Sequence, residues 1–333
     1  MKILVIGGTR FVGLRLVRLL ASEGHDITLL NRGKTEAQLP QRLRRLYADR
    51  RNPSTVKSAL EGKSFEVVFD MTGYQVVNLE PVVEILNNKV NHYIFQSTCG
   101  VYAHSEILPI LEDFPYLTPV TGTSGLTAYE QDKVECERFL LKAHRERGLP
   151  VTIFRCPLIY GPENWMDDRE GSYFTRLLQG RKILIPGNGS TINHFTHVDD
   201  LARAHLSVVG NKHALGQIYN IAGAEAITIK GYIDTIAQIA GTQAEKVYLE
   251  PQDVRKLKRP IFPFTWEENR IFGIQKAKEH FGFWPKYDLK SGLEDTYRWW
   301  LEERGLEKIQ FIPGKLGYDV DLAYEEEVIR KQG

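Results

Sequence analysis

The 333-residue chain has little cysteine: three residues, Cys99, Cys136 and Cys156. An odd number with no C-x-x-C spacing gives neither a disulfide framework nor a thiolate zinc site, and reduced thiols in a cytoplasm fit best. Net charge is equally scarce, with 43 basic against 42 acidic residues and a formal +1. That balance provides no global field for nucleic acid or an anionic membrane surface. The one basic cluster, "RLRRLYADRR" at Arg42–Arg51, is interrupted by acidic and apolar residues and reads as a solvated face. No apolar run reaches ~18 residues, so no bilayer span is expected. The first residues lead straight into strand-like sequence, without the charged segment and cleavage site of a secretory leader. Internal repeats and low-complexity linkers are lacking too. These absences point to a cytoplasmic chain with no membrane partner and disfavour a nucleic-acid partner.

What is present is a globular composition, 42% hydrophobic, long enough for one large α/β unit or two cooperating lobes. Strand and helix patterns alternate from the start. "KILVIGG" reads as a strand, Phe11–Gly24 as a helix, and "ITLLNR" and "RLYADR" as strands two and three. Asn52–Pro53 cap and open the helix "STVKSALEG". "EVVFDMTG" is strand four, "LEPVVEILNN" a helix, "HYIFQST" strand five, Thr127–Gly148 a long helix and "VTIFRCPLIYG" strand six. Apolar strands alternating with helices mean a doubly wound parallel sheet, a Rossmann-type α/β fold. Beyond Tyr160–Gly161–Pro162 the pattern loosens, although "HFTHVDDLARAHLSVV" and "GQIYNIAG" read as returns to the sheet. The expected division is residues 1–158 plus about 193–223 for the dinucleotide-binding domain. About 159–192 plus 224–333 then form a smaller mixed α/β substrate lobe.

The stretch "IGGTRFVG" lies between strand one and helix one. A glycine turn there aims backbone N–H groups and the positive helix end at a pyrophosphate. Gly7 is expected to make the tight turn, Gly8 to keep backbone close to phosphate, and Gly13 to let the helix pack on the strand. Strand two ends in Asn31–Arg32, which offers no carboxylate for ribose hydroxyls but an arginine that can fork onto a 2′-phosphate. Arg10 lies on the same side, so NADP(H) is favoured and NAD(H) stays possible. Asp49 is expected either to cap the adenine edge or to cap the following helix. Met71–Gly73 should run beneath the cofactor.

"AYEQDKVECERFL" puts Tyr129 and Lys133 four residues apart on one helical face. A neighbouring ammonium should stabilise the phenolate and lower the Tyr129 pKa. Strand five ends with Ser97–Thr98 at the carboxyl edge of the sheet, where ligands of such folds bind. Elsewhere, His194 and His197 read as structural or substrate-facing, and no metal is expected. Asp199–Asp200 read as helix caps, Trp299–Trp300 as core, and "DVDLAYEEE" as a solvated tail.

The series "GGTRFVG", "STCGVY", "YEQDK", "FRCPLIYGP", "HFTHVDDLA" and "IYNIAG" resembles the extended short-chain dehydrogenase/reductases, the NAD(P)-dependent sugar-nucleotide epimerase/dehydratase group, over ~residues 1–304. "GGTRF" with "FPFTWEENRIFGIQKAKEHFGFWPKYDLKSGLEDTY" is similar to an atypical branch containing chloroplast stem-loop RNA-binding proteins and bacterial relatives. In that branch the tyrosine–lysine pair tends to be degraded; here it is intact. The resemblance implies Tyr129 as proton-transfer residue, Lys133 as its partner and ribose anchor, and Thr98 as hydrogen-bond donor to the reacting oxygen. It implies cofactor contacts at Gly7, Gly8, Thr9, Arg10, Phe11, Gly13, Asn31, Arg32, Asp49, Met71, Thr72, Gly73, Ser97, Lys133 and Pro157. Substrate contacts fall to Thr98, Tyr129, Leu158, Tyr160 and Asn193. The implied reaction is reversible hydride transfer at a carbinol carbon, by a C4 epimerase or 4-ketoreductase acting on a nucleotide-linked sugar as a homodimer.

The departures from that pattern carry information. Cys99–Gly100 stand where 4,6-dehydratases have an acidic pair, which disfavours dehydration. Leu158 and Asn193 replace an asparagine and a diphosphate-binding arginine. A non-sugar ketoreductase, or an RNA-binding protein on a dehydrogenase scaffold, are the alternatives.

Overall fold

The computed structural model describes residues 1–118, 128–164, 169–258, 263–304 and 322–332. In chain order the first elements are β1 (Lys2–Ile6), α1 (Phe11–Ser22), β2 (Asp26–Asn31), β3 (Leu43–Tyr47), α2 (Pro53–Leu60), β4 (Val67–Asp70), α3 (Val76–Leu86), β5 (His92–Thr98), α4 (Ala128–Arg147) and β6 (Val151–Cys156). There follow β7 (Leu158–Tyr160), α5 (Glu170–Leu178), β8 (Ile183–Pro186), β9 (Ile192–His197), α6 (Val198–Ser207), β10 (Gln217–Asn220), β11 (Ala226–Thr228), α7 (Ile229–Ile239), β12 (Lys246–Leu249), α8 (Pro251–Arg255), α9 (Gln275–Phe281), α10 (Leu289–Arg304) and α11 (Leu322–Arg330). Thr127, the expected first residue of α4, lies outside the described residues.

Contacts divide the chain into two compact units: Met1–Pro157, Val198–Ala222 and Phe272–Pro285 in the first; Leu158–His197, Gly223–Ile271 and Lys286–Gly333 in the second. In the first unit seven strands form one parallel sheet in the order β10-β6-β5-β4-β1-β2-β3. The run of apolar residues in β1 is buried on both faces, as covered parallel strands require. Helix α3 neighbours both α2 and α4, and α1 neighbours α6. On the first side Leu79, Val83 and Leu86 of α3 and Leu140 of α4 meet Leu4, Val68, Phe95 and Ile153 of the sheet. The doubly wound reading is thus correct. The helix α2 begins as expected, with the Asn52 side chain accepting the Ser54 N–H at 3.1 Å.

Several local expectations fail for physical reasons. The expected sixth strand is two strands, because Pro157 has no N–H to continue the ladder. β6 stays in the large sheet, while β7 pairs with β9 in a three-stranded sheet. That pairing also places "HFTH" in the second unit, so the chain returns to the first unit only at Val198. Asp199 and Asp200 follow the first residue of α6 rather than precede the helix. They sit in the first turn of α6, where Asp199 takes a bidentate bond from Arg15 of α1 (2.6 and 2.7 Å) and Asp200 pairs with Arg203. The described part of "DVDLAYEEE" is helix, not solvated tail: buried Glu325 of α11 pairs with buried Arg176 of α5 at 2.5 Å, and Val328 packs with Leu184 and Leu249. Trp300 lies in the core of the second unit, as expected. Among the described residues, no helix is long and apolar enough to cross a membrane.

One buried ion pair ties α4 to the sheet. Glu137 and Arg155 are 0% and 1% exposed, with Arg155 Nη2 2.7 Å from Glu137 Oε2 and Nε 3.1 Å from the same oxygen. Tyr116 O–H donates to Glu137 Oε2 at 2.9 Å, and Ser97 Oγ–H donates to Oε1. Removing one buried charge strands the other. Glu137→Gln should therefore destabilise the protein by about 3–5 kcal/mol in urea unfolding, and pairing it with Arg155→Met should recover much of the loss. A single variant within 1 kcal/mol of the unmodified protein, on the order of a surface substitution, would refute this.

Candidate active site

The β1–α1 turn is built by close approach. Gly7 and Gly8 have φ of +102° and +89°, the region L side chains avoid. A Cβ at Gly7 would lie 2.8 Å from Thr72 Cγ2 and 3.2 Å from Met71 Cβ. One at Gly13 would lie 2.7 Å from the Gly8 backbone, so the start of α1 packs on the turn itself. Gly8 carries a core constraint as well: its added Cβ would strike Leu29, Val17 and Val5 at 2.6–3.1 Å. Phe11 opens α1 at φ +41° and is buried, an unusual conformation for a side-chain-bearing residue. Thr9 is half-buried, and Arg10 is exposed at the N-cap position in extended backbone. The first intrahelical bond runs from Leu14 N–H to Arg10 O at 3.2 Å, so earlier amides stay available at the positive helix end.

At the end of β2, Asn31 Oδ1 accepts the Gly33 N–H at 2.8 Å, which fixes the amide orientation. Its Nδ2 is buried without a hydrogen-bond partner among the described residues. A donor held there, beside exposed Arg32, suits an anion or hydroxyl acceptor and offers nothing to accept from a ribose hydroxyl. Cradle and orphaned donor together fit a dinucleotide phosphate. Asp49 does not cap the following helix. Arg51 holds its carboxylate at 2.6 and 3.0 Å and keeps it well below the usual carboxylate range, while Asn52 caps α2.

The sequence reading missed Arg50. Its guanidinium makes five hydrogen bonds: two to Asp70 (2.7 and 2.9 Å), one to Thr72 Oγ1 (3.2 Å) and two to the Asn78 carbonyl (3.0 and 3.3 Å). Asp70, fully buried at the end of β4, also accepts from Tyr93 O–H at 2.6 Å and Thr72 N–H at 3.1 Å. The signal available was a lone aspartate ending an apolar strand. Gly73 is held by packing, since a Cβ would sit 2.6 Å from Phe95.

Beyond β5 the structure brings Thr98, Tyr129 and Lys133 together. The Thr98 side chain neighbours the Tyr129 phenol and favours its phenolate, and Thr98 Oγ1 accepts the Gly100 N–H at 3.1 Å. Tyr129 is 44% exposed, so its ring is reachable. Lys133 Nζ, in contrast, is buried. It donates to the Gln96 carbonyl at 2.8 Å and lies 4.5 Å from the Phe95 ring centre and 6.0 Å from that of Tyr129. Burial pushes the Lys133 pKa down to about 8. The expected lowering of Tyr129 does not occur. Partial desolvation, with Tyr74 and Cys156 alongside, raises its pKa above the ordinary tyrosine value, and neighbouring Thr98 opposes this only in part. Ser97, expected at the cofactor, turns its hydroxyl to buried Glu137. Gly100 carries a further consequence: a Cβ there would lie 3.0 Å from Glu130 Cγ and 3.3 Å from its Oε1.

Leu158, Tyr160 and Asn193 belong to the second unit, and Pro157 ends the first segment of the first unit. Within the second unit, Asn193 is buried with Nδ2 donating to the Thr265 carbonyl at 3.1 Å. Tyr160 is buried edge-on to His197, ring centres 5.3 Å apart, and Leu158 is half-buried. His194 Nε2 bonds the Gly223 carbonyl at 2.9 Å. No cluster of metal-ligating side chains occurs among the described residues.

The Lys133 ammonium should lose its proton as pH rises through about 8, more than two units below the ordinary lysine value. Carbon-13 NMR of ε-labelled lysine, assigned with Lys133→Arg, should show one resonance with that midpoint. A lowest lysine midpoint above about 10 would contradict the buried environment.

Residues 3–222 match the model of the NAD dependent epimerase/dehydratase family. The chloroplast stem-loop binding protein of 41 kDa b from Arabidopsis thaliana is 36% identical over 310 residues, 89% of this chain and 78% of that protein. A dTDP-4-dehydro-6-deoxy-D-allose reductase from Streptomyces sp is 26% identical over 328 residues, 90% and 95% of the two chains. Among solved structures, dTDP-glucose 4,6-dehydratase from Bacillus anthracis in complex with NAD superposes with a TM-score of 0.77 at 20% identity, covering 92% of this chain and 98% of that one. UDP-glucose 4-epimerase from Thermotoga maritima gives a TM-score of 0.73 at 22% identity, covering 91% and 99%. With the glycine cradle, the parallel sheet and the tyrosine–lysine helix in family order, the chain belongs to the NAD dependent epimerase/dehydratase family.

Proposed function

We propose that this protein is an NAD(P)-dependent oxidoreductase that catalyses reversible hydride transfer at a carbinol carbon of a nucleotide-linked sugar, as a C4 epimerase or 4-ketoreductase. The observation that carries this reading is the gathering of Thr98 and Tyr129 beside buried Lys133, whose Nζ lies 6.0 Å from the Tyr129 ring centre. The nicotinamide, when bound, supplies hydride exchange at its C4. Gly7 to Gly13 would hold the pyrophosphate, with Asn31, Arg32 and Arg10 toward the adenosine. Tyr129 Oη then gives or takes the carbinol proton, and its raised pKa keeps it protonated, the acid form that carbonyl reduction uses. Thr98, fixed by the Gly100 amide, orients the substrate oxygen. If the ketone turns over in place before hydride returns, the product is an epimer; if it leaves, the enzyme is a reductase. Water expulsion is disfavoured, since Cys99–Gly100 provide no acid pair.

NADP(H) is the favoured cofactor, because Arg10, Arg32 and the Asn31 donor end offer cations and a donor where NAD recognition uses a carboxylate. Fluorescence titration should show tighter binding of NADPH than NADH, and Arg32→Ala should reduce the difference by ~1–3 kcal/mol, the scale of a charge-assisted hydrogen bond. Equal affinity in the unmodified protein would remove the NADP preference.

The test of the chemistry is single-turnover hydride transfer followed at the nicotinamide absorbance. It should use whichever uridine-, thymidine- or guanosine-diphosphosugar raises the melting temperature. Tyr129→Phe should lower the rate by ~10²–10⁴, the contribution of a general acid or base, with little effect on cofactor affinity. An unchanged rate would mark the motif as vestigial.

A second reading, an RNA-binding protein on a dehydrogenase scaffold, draws on the 36% identical stem-loop binding relative and on exposed Arg44, Arg45 and Tyr47 along edge strand β3. Salt-dependent retention of RNA by a protein that binds neither NADPH nor NADH would favour it.

A further inference from the structure

Arg50 belongs to no expected motif, yet it joins three segments around the glycine turn. It follows β3, its partner Asp70 ends β4, and its second acceptor, the Asn78 carbonyl, lies in the first turn of α3. Its five hydrogen bonds use every N–H of the guanidinium, so the side chain has none left for a ligand. Its side chain is only 12% exposed, and the Asp70 side chain 0%. A fully committed guanidinium acts through what it holds. What it holds is the Asp70–Thr72 tail of β4: Arg50 takes both Asp70 oxygens and Thr72 Oγ1, and Asp70 Oδ1 takes the Thr72 N–H.

That tail is the wall against which the glycine turn rests. Thr72 Cγ2 and Met71 Cβ are the atoms a side chain at Gly7 would meet, at 2.8 and 3.2 Å. Gly7 also donates its N–H to Leu30 O at 3.1 Å, so the turn is bounded by β2 on one side and by the β4 tail on the other. A rotation of Thr72 would leave Gly7 unsupported on the β4 side. We infer that Arg50 is a positioning residue for the cofactor loop, fixing through Asp70 and Thr72 the placement of the turn that receives the dinucleotide phosphates. This rests on the cofactor reading above.

The experiment separates positioning from stability. Arg50→Met with Asp70→Asn removes both charges, with the amide oxygen left to accept the Thr72 N–H and the amide N–H2 to donate to Tyr93 Oη, so neither charge is stranded. Affinity for NADPH and NADH is read by nicotinamide fluorescence, and melting temperature is read on the same samples. The double variant should melt near the unmodified protein but bind both dinucleotides about 10–100-fold more weakly, as expected when a supporting shell lets a binding loop move. Thr72→Val keeps the wall and deletes only the hydroxyl held by Arg50; it should fold normally and weaken binding to a smaller extent. Arg50→Lys keeps the charge on Asp70 but cannot span Asp70, Thr72 and Asn78 together, and should not restore affinity. A lowered melting temperature with unchanged affinity in these variants would overturn the proposal and leave the cofactor reading standing. Failure of the unmodified protein to bind either dinucleotide would overturn both.

Discussion

A carboxylate taken out of water must be surrounded by donors, and that requirement at Glu137 governs the arrangement of the first unit. Its oxygens collect bonds from Ser97 on β5, Arg155 on β6 and Tyr116 from the segment after β5. Ser97 precedes Thr98, and Glu137 lies one helical turn beyond Lys133 and two beyond Tyr129. One buried charge thus locks together the strand that carries Thr98 and the helix that carries the tyrosine and lysine. Arg155 is satisfied in turn by the Glu112 carbonyl and by the rings of Tyr102 and Tyr116, 4.4 and 4.8 Å from its centre. The network is costly to desolvate, and its return is geometry more than stability.

Burial also sets the protonation states. Tyr129 and Lys133 do not form the mutually stabilised pair that their spacing implies, because the ammonium points to a backbone carbonyl and both groups are desolvated. Desolvation favours the neutral form of each: the phenol over the phenolate, the amine over the ammonium. The pair therefore holds a proton on the tyrosine and keeps the lysine near its titration midpoint at mildly alkaline pH. Cys156, fully buried beside them, is driven toward the neutral thiol by the same effect.

The order of strands, the glycine turn and the tyrosine–lysine helix were legible because each depends on local rules: apolar runs for covered strands, glycine where φ must be positive, a four-residue spacing on one helical face. The β5 boundaries, His92–Thr98, coincide with the expected ones for that reason. The break at Pro157, the docking of α11 through Glu325 and the clasp of Asp199 by Arg15 were not legible, since each is decided by a partner 140 or more residues away or by membership of a different sheet.

Sequence by itself determined the fold class and which residue types could carry the chemistry, because hydrophobic periodicity and glycine placement act over a few residues. Only the tertiary structure decided the work of those residues. Arg50 became the holder of Asp70 and Thr72, Ser97 turned to Glu137 rather than outward, and the tyrosine was raised rather than lowered. Hydrogen-bond geometry and desolvation belong to neighbours in space, and the chain's order does not encode which neighbours those will be.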